Sequence, residues 1–174
     1  MEEVGMCKFD WIHWLKMSCL AIAGMMDEKS IVFFYQTNRK FEGSIIDKKN
    51  IITNEFLAMG FNLIHSKIVL KQEPETINLF RPTFTNFFSF SKSLGPGKPS
   101  PDVIRCGEMI YKNAMGYNAC RFAVEYVKEK KVSDTILDPF CGRGSVLKIA
   151  NDLGMKSMGI DIDIKQVEHA KNLK

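Results

Sequence analysis

Residues 135–147, Thr-Ile-Leu-Asp-Pro-Phe-Cys-Gly-Arg-Gly-Ser-Val-Leu, run a short apolar strand into a turn with two glycines and straight on into a helix. Few folds accept that succession. A strand that ends in Asp138 delivers its carboxylate to the carboxyl edge of a parallel sheet, where open α/β folds bind their ligands. Gly142 and Gly144 let the backbone turn sharply and approach a ligand without a Cβ in the way. The first amides of the helix that opens at Ser145 then face the same place. A second short apolar strand, Lys156 to Ile160, is followed at once by Asp161. An acidic side chain roughly 20 residues after the first strand is placed to accept both ribose hydroxyls. The two strands and the helix between them read as one βαβ unit that cradles an adenosine-bearing cofactor.

The stretch Asp138-Pro139-Phe140-Cys141-Gly142-Arg143-Gly144-Ser145 resembles motif I of class I S-adenosylmethionine-dependent methyltransferases, in the form found in amino-group methyltransferases of DNA and RNA. Dehydrogenase fingerprints need a third glycine, and position 147 is Leu. Phosphate-loop NTPases are excluded because no Gly-Lys-Ser/Thr follows the turn. The resemblance implies S-adenosyl-L-methionine as cofactor, held by Asp138, Pro139, Phe140, Cys141, Gly142, Gly144 and Ser145, with Asp161 on the ribose. Gly116 and Asn118, near the start of a preceding helix, are candidates to hold the methionine carboxylate through backbone amides. Cys141 is expected to line the turn through its backbone, since methyl transfer to an exocyclic nitrogen needs no nucleophilic thiol. Arg143 either contacts substrate or is solvated, and Glu108 reads as a surface residue sooner than a ligand.

Element order carries as much information as the motif. Asp10 to Met26 has helical apolar spacing, with Asp10 as N-cap and Leu20 among the inward residues. Ser30 to Tyr35 is a continuous apolar strand, expected inside the sheet, and Gln36 to Lys49 a polar loop. Ile52, Phe56 and Met59 give a short helix that Gly60 stops. Asn62 to Lys71 and Thr83 to Ser91 read as strands that pair as an antiparallel hairpin. Leu94 to Pro101 is a loop, Ile104 to Lys112 a short helix, and Tyr117 to Lys131 a longer one. The last helix begins at Ile164 and carries Val167 and Ala170.

In the usual arrangement of class I methyltransferases the cofactor motif lies near the amino terminus, whereas here it comes near the carboxyl terminus. The series resembles circularly permuted amino methyltransferases. The expected fold is therefore α/β: a Rossmann-like class I methyltransferase sheet with circularly permuted strand order. We expect one domain over 1–174, with a substrate and catalytic half at 1–93 and a cofactor-binding half at 94–174.

One part of that family's pattern is not found. Its catalytic Asp/Asn/Ser-Pro-Pro-aromatic tetrapeptide does not occur, since the prolines are Pro74, Pro82, Pro96, Pro99, Pro101 and Pro139. Catalytic residues therefore stay unassigned. The strand that carries the tetrapeptide lies centrally in the family, so one central strand is expected to be missing, with Met1 to Phe9 its only degenerate remnant. An empty slot leaves backbone hydrogen-bonding groups unpaired. Amino-terminal truncation is the favoured explanation, ahead of an unrecognised segment or another chain filling the slot.

Composition narrows the remaining classes. The 174 residues carry a formal charge of +4, compatible with a polyanionic partner without being diagnostic. Five cysteines without a Cys-x-x-Cys pair and three scattered histidines suggest neither a metal site nor a disulfide framework. The expectation is an intracellular protein, cytoplasmic or nuclear, with no membrane segment. Arg39, Lys40, Lys48 and Lys49 read as solvated charges, Trp11 and Trp14 as packing residues sooner than base-stacking ones, and His65 as structural. The resemblance implies methyl transfer to a nucleic-acid base, RNA in preference to DNA, because only Ser91 to Pro101 stands where DNA enzymes insert a target-recognition region. The alternative is a non-catalytic cofactor-binding or regulatory subunit whose sheet is completed by a partner chain or a second copy.

Overall fold

The computed structural model describes residues 7–79, 81–111 and 114–173. The chain forms two compact units. The first comprises residues 1–68 and 75–96, the second residues 69–74 and 97–174.

The first unit opens with α1 (Lys8–Gly24), which buries only Trp11, Leu15 and Cys19, an i, i+4, i+8 stripe. Its N-cap is Cys7, whose Sγ accepts the amide of Asp10 at 3.5 Å. The expected cap at Asp10 thus moves one turn earlier, and Asp10 complements the helix dipole from within the first turn instead. Leu20 faces solvent, not the core, whereas Ile12, Ile22, Ala23 and Met26 are partly buried and pack against the core beside that stripe. The strand β1 (Val32–Gln36) follows, then β2 (Arg39–Phe41) and β3 (Ser44–Ile46), which pair antiparallel around Glu42-Gly43. That hairpin occupies the segment read from sequence as a loop. The helix α2 (Lys48–Ala58) is capped by Asp47, which accepts the Asn50 amide at 3.2 Å, and buries Ile52 and Phe56.

After α2 come β4 (Asn62–Leu70) and β5 (Phe84–Ser91). They are neighbours as expected, yet β5 also pairs along its other side, antiparallel, with β1 from Val32↔Phe90 to Gln36↔Asn86. This places β1 at the end of the strand order among the described residues, not inside the sheet, and of its five residues only Phe34 is buried. A continuous apolar run does not distinguish the two positions when neighbouring helices supply the cover. The core is aromatic: Phe56 stacks on Phe90 at 4.8 Å and meets Phe34 and Phe61 edge-on at 5.3 and 5.2 Å. His65 is buried and held on both nitrogens, Nδ1 by Ser89 Oγ at 2.7 Å and Nε2 by the Pro96 carbonyl at 2.8 Å.

In the second unit β6 (Val103–Arg105) replaces the helix expected from Ile104 to Lys112, whose last residue lies outside the described residues. The Cys106 amide donates to the Leu70 carbonyl at 2.8 Å, so a long-range partner converts the segment to strand. The helix α3 (Tyr117–Lys130) buries Ala119, Cys120, Ala123, Val124, Tyr126 and Val127, and carries Lys128 and Lys130 in its last turn, where cations are favoured. Then β7 (Thr135–Asp138), α4 (Ser145–Asp152) and β8 (Lys156–Gly159) make a βαβ unit, with β7 and β8 parallel and Asp138 opposite Gly159. Ser145, Val146, Ile149 and Ala150 of α4 are buried. The final helix α5 (Ile164–Lys171) is capped by Asp163, which accepts the Lys165 amide at 2.9 Å. Among the described residues β7 and β8 pair only with each other. The expected catalytic strand falls mostly on Met1–Met6, outside the described residues.

Candidate cofactor site

The site grows out of the carboxyl ends of β7 and β8. Asp138 closes β7, and its Oδ1 accepts the Phe140 amide at 3.0 Å, a short Asx-type turn that Pro139 starts by fixing φ. The backbone continues the ladder beyond both strands: the Ile160 amide donates to the Asp138 carbonyl and the Cys141 amide to the Ile160 carbonyl, each at 2.9 Å. The chain then turns through Gly142 (φ 51°) and Gly144 (φ 83°), both in the left-handed region that side chains resist. Gly144 is the N-cap of α4.

Asp161 ties the two strand ends together. Its Oδ2 accepts the Gly142 amide and its Oδ1 the Asp163 amide, both at 2.9 Å. A carboxylate has about four lone-pair sites, so two remain for hydroxyl donors from a ribose. Asp138, by contrast, has its carboxyl pushed above the usual carboxylate range, first by burial and further by the charge of Asp161. Burial, with Asp138 nearby, pushes the Cys120 thiol of α3 up to about 12. The Cys141 thiol is likewise raised, by burial and then by Asp138 and Asp161, and stays protonated near neutrality, so it is no nucleophile.

A Cβ built on Gly142 would find only the Tyr111 hydroxyl, 4.0 Å away, so this turn keeps open space beside it. Phe140, Ile160 and Ile162 are 58, 56 and 90 % exposed, three apolar side chains left in solvent beside two carboxylates. Together the open turn, the acceptor sites on Asp161 and the apolar flank fit an adenosine group. Ser145 begins α4 with its hydroxyl donating to the Tyr111 hydroxyl at 3.0 Å, and the Arg143 guanidinium lies 5.4 Å over the Tyr111 ring. Arg143 therefore packs on an aromatic face. Gly116 is the N-cap of α3, but a Cβ there would overlap the Cys106 carbonyl. The amides of Tyr117 and Asn118 are already donated to Glu108 and Cys106 carbonyls at 2.9 and 3.1 Å. The amide of Asn118 is thus committed, and close packing alone requires glycine at 116.

Sequence reasoning did not single out Tyr111 or Ile162. Nothing local marks Tyr111, whereas Ile162, an apolar residue between two aspartates in a loop, carried a readable signal. No group of three His, Cys, Asp or Glu suited to a metal occurs among the described residues, and no described helix is long and apolar enough to cross a membrane.

The permuted element order and this strand, glycine turn and helix define a class I methyltransferase fold. The profile of the DNA methylase family matches residues 9–172, and the chain belongs to that family. A tRNA (guanine(10)-N2)-dimethyltransferase from Methanothermobacter thermautotrophicus is 33 % identical over 111 residues, which cover 61 % of this chain. The match spans about a quarter of that relative's length (26 %). Among solved structures, a candidate DNA modification methylase from Thermus thermophilus in complex with S-adenosyl-L-methionine superposes with a TM-score of 0.65 at 16 % identity. It covers 92 % of this chain and 75 % of the other. The PvuII DNA methyltransferase, cytosine-N4-specific, gives 0.67 at 10 % identity over 100 % of this chain and 74 % of its own.

Proposed function

We propose that the chain binds S-adenosyl-L-methionine at the β7–β8 edge and transfers its methyl group to a nucleic-acid base, RNA in preference to DNA. The observation that carries this reading is the Asp161 carboxylate on the Gly142 amide, which fixes the turn against the second strand end. In this reading Asp161 takes the ribose hydroxyls on its remaining acceptor sites, and Phe140, Ile160 and Ile162 flank the adenine. Asp138, Pro139, Cys141, Gly142, Gly144 and Ser145 shape the turn around the methionine end. The cofactor supplies an electrophilic sulfonium methyl. Held by Asp161 and the turn from Asp138 to Ser145, the cofactor would supply that methyl to a base nitrogen. The protein's part is to align the two partners and exclude water. The tRNA-modifying relative and the short Ser91–Pro101 segment favour RNA. The cysteine pattern favours a reducing intracellular compartment, cytoplasmic or nuclear.

A second reading, a cofactor-binding subunit whose sheet a partner chain completes, is favoured by one specific observation. Leu137 and Met158 are register partners on neighbouring strands, and they are 49 and 60 % exposed on one sheet face. Titration calorimetry with S-adenosyl-L-methionine, followed by radiolabelled methyl transfer to total RNA and to DNA, separates the readings. Binding with transfer to RNA is expected. Binding without transfer overturns the enzyme, and no binding overturns both.

A further inference from the structure

Asp161 holds the glycine turn through the Gly142 amide. A second side chain, from the loop between β6 and α3 in the same unit, reaches the same four residues. The Tyr111 hydroxyl accepts the Ser145 hydroxyl at 3.0 Å, and its ring lies 5.4 Å from the Arg143 guanidinium. Its oxygen also stands 4.0 Å from where a Gly142 Cβ would be. Tyr111 thus meets Arg143 and Ser145 and borders the open space at Gly142.

Tyr111 is itself firmly placed. Its carbonyl accepts the Ala114 amide at 3.0 Å, and Ala114 is buried. The start of its loop is fastened to the first turn of α3: the Tyr117 amide donates to the Glu108 carbonyl at 2.9 Å, the Asn118 amide to the Cys106 carbonyl at 3.1 Å, and Asn118 Nδ2 to the Arg105 carbonyl at 3.0 Å. A Cβ on Gly107 would overlap the Asn118 side chain, so loop and helix are in close contact. Asn118 therefore spends both its amides on the loop that carries Tyr111.

The ring also settles where Arg143 lies. Arg105 and Arg121, the other arginines of this unit, are held by the carboxylates of Glu73 and Glu125. The partner of Arg143 among the described residues is the face of Tyr111. Its orientation depends on that ring.

We propose that Tyr111 is a positioning residue for the methionine end of the cofactor site. It acts through Ser145 and Arg143, which it holds beside the open space at Gly142, and it touches no reacting atom. This rests on the reading of the turn as the S-adenosyl-L-methionine site and adds what keeps that turn in shape. A wall ordered before the ligand arrives saves the cost of ordering it on binding. The adenosine half of the ligand is served by Asp161, Phe140, Ile160 and Ile162, so removal of Tyr111 falls on the amino-acid half.

The test is titration calorimetry of the whole chain, below its unfolding transition, with S-adenosyl-L-methionine and with methylthioadenosine, which keeps the adenosine and lacks the amino-acid group. Tyr111→Phe removes the hydroxyl and leaves the ring under Arg143. It is expected to bind S-adenosyl-L-methionine about fivefold more weakly, the worth of one neutral hydrogen bond, and methylthioadenosine as the parent does. Tyr111→Leu loses a further factor of about three as the cation leaves its ring, a part that Tyr111→Phe retains. Ser145→Ala matches Tyr111→Phe, and the two together cost no more than either alone, because they remove the same bond. Arg121→Gln, whose partner is Glu125, changes neither affinity. Undiminished S-adenosyl-L-methionine affinity in Tyr111→Phe overturns the role. Equal losses for the two ligands overturn the assignment to the methionine end, and losses that add in the double variant overturn the route through Ser145. A parent that binds neither ligand overturns the cofactor reading itself, which none of the variant comparisons does.

Discussion

The Asp161 carboxylate accepts the Gly142 amide at 2.9 Å across 19 residues of sequence, while its other oxygen accepts the Asp163 amide. One side chain therefore joins the turn after β7, the end of β8 and the cap of α5. Asp161→Asn keeps the shape but turns one of the two acceptors into a donor, which then faces a backbone amide. Leaving such a group unsatisfied costs about 1–3 kcal/mol. Urea unfolding without cofactor is expected to show that loss, and titration calorimetry a further drop in S-adenosyl-L-methionine affinity. A variant as stable as the parent would mean the carboxylate does not hold the turn.

Asp138 makes the opposite prediction about stability. Its folded-state carboxyl titrates above the usual value, chiefly through burial, so the folded form holds the proton more tightly than the unfolded chain. Stability from this group is therefore fully present below the unfolded value, about 3.9, and is lost as pH rises through the raised folded value. Asp138→Asn removes that dependence while its amide oxygen can still accept the Phe140 amide. Urea midpoints of parent and variant should converge toward about pH 4 and separate upward, with the variant more stable at about pH 7. Cofactor affinity is expected to fall in the same variant, which would identify a charge kept for binding at the expense of stability.

From β7 onward the second unit was the more legible in sequence because chemistry punctuates its boundaries. Asp138-Pro139 ends a strand, Gly144 opens a helix, Gly154 follows one, and Asp163 caps the last. The first unit is written in longer-range terms. The strands β2, Arg-Lys-Phe, and β3, Ser-Ile-Ile, are three residues each, too short for a period-2 pattern to announce them. Their one local sign is Glu42-Gly43, both with positive φ (45° and 73°), the signature of a tight hairpin turn. The second unit holds one such case, the strand β6, which depends on a partner at Leu70 that no local window contains. At the site, the residue types of the turn were readable, but Tyr111 over Ser145 and the commitment of the Asn118 amide to Cys106 arise from tertiary packing alone.

Gly159 offers the sharpest test that α4 and the turn are packed as one piece. It sits at the end of β8 opposite Asp138, and a Cβ there would overlap Leu147 Cδ1 and lie 2.8 Å from Cys141 Sγ. Both neighbours belong to the turn and helix that shape the site, so relief must displace one of them. Overpacking of this kind costs about 1–3 kcal/mol. Gly154→Ala is the informative comparison, because a Cβ there meets nothing within 4 Å. Its φ of 74° still makes the backbone cost about 1–2 kcal/mol. The two variants are expected to melt lower by comparable amounts, yet only Gly159→Ala should weaken S-adenosyl-L-methionine binding in calorimetry performed below both transitions. Equal affinities would show that the turn tolerates movement of Cys141 and Leu147, and that its shape is set by Asp161 alone.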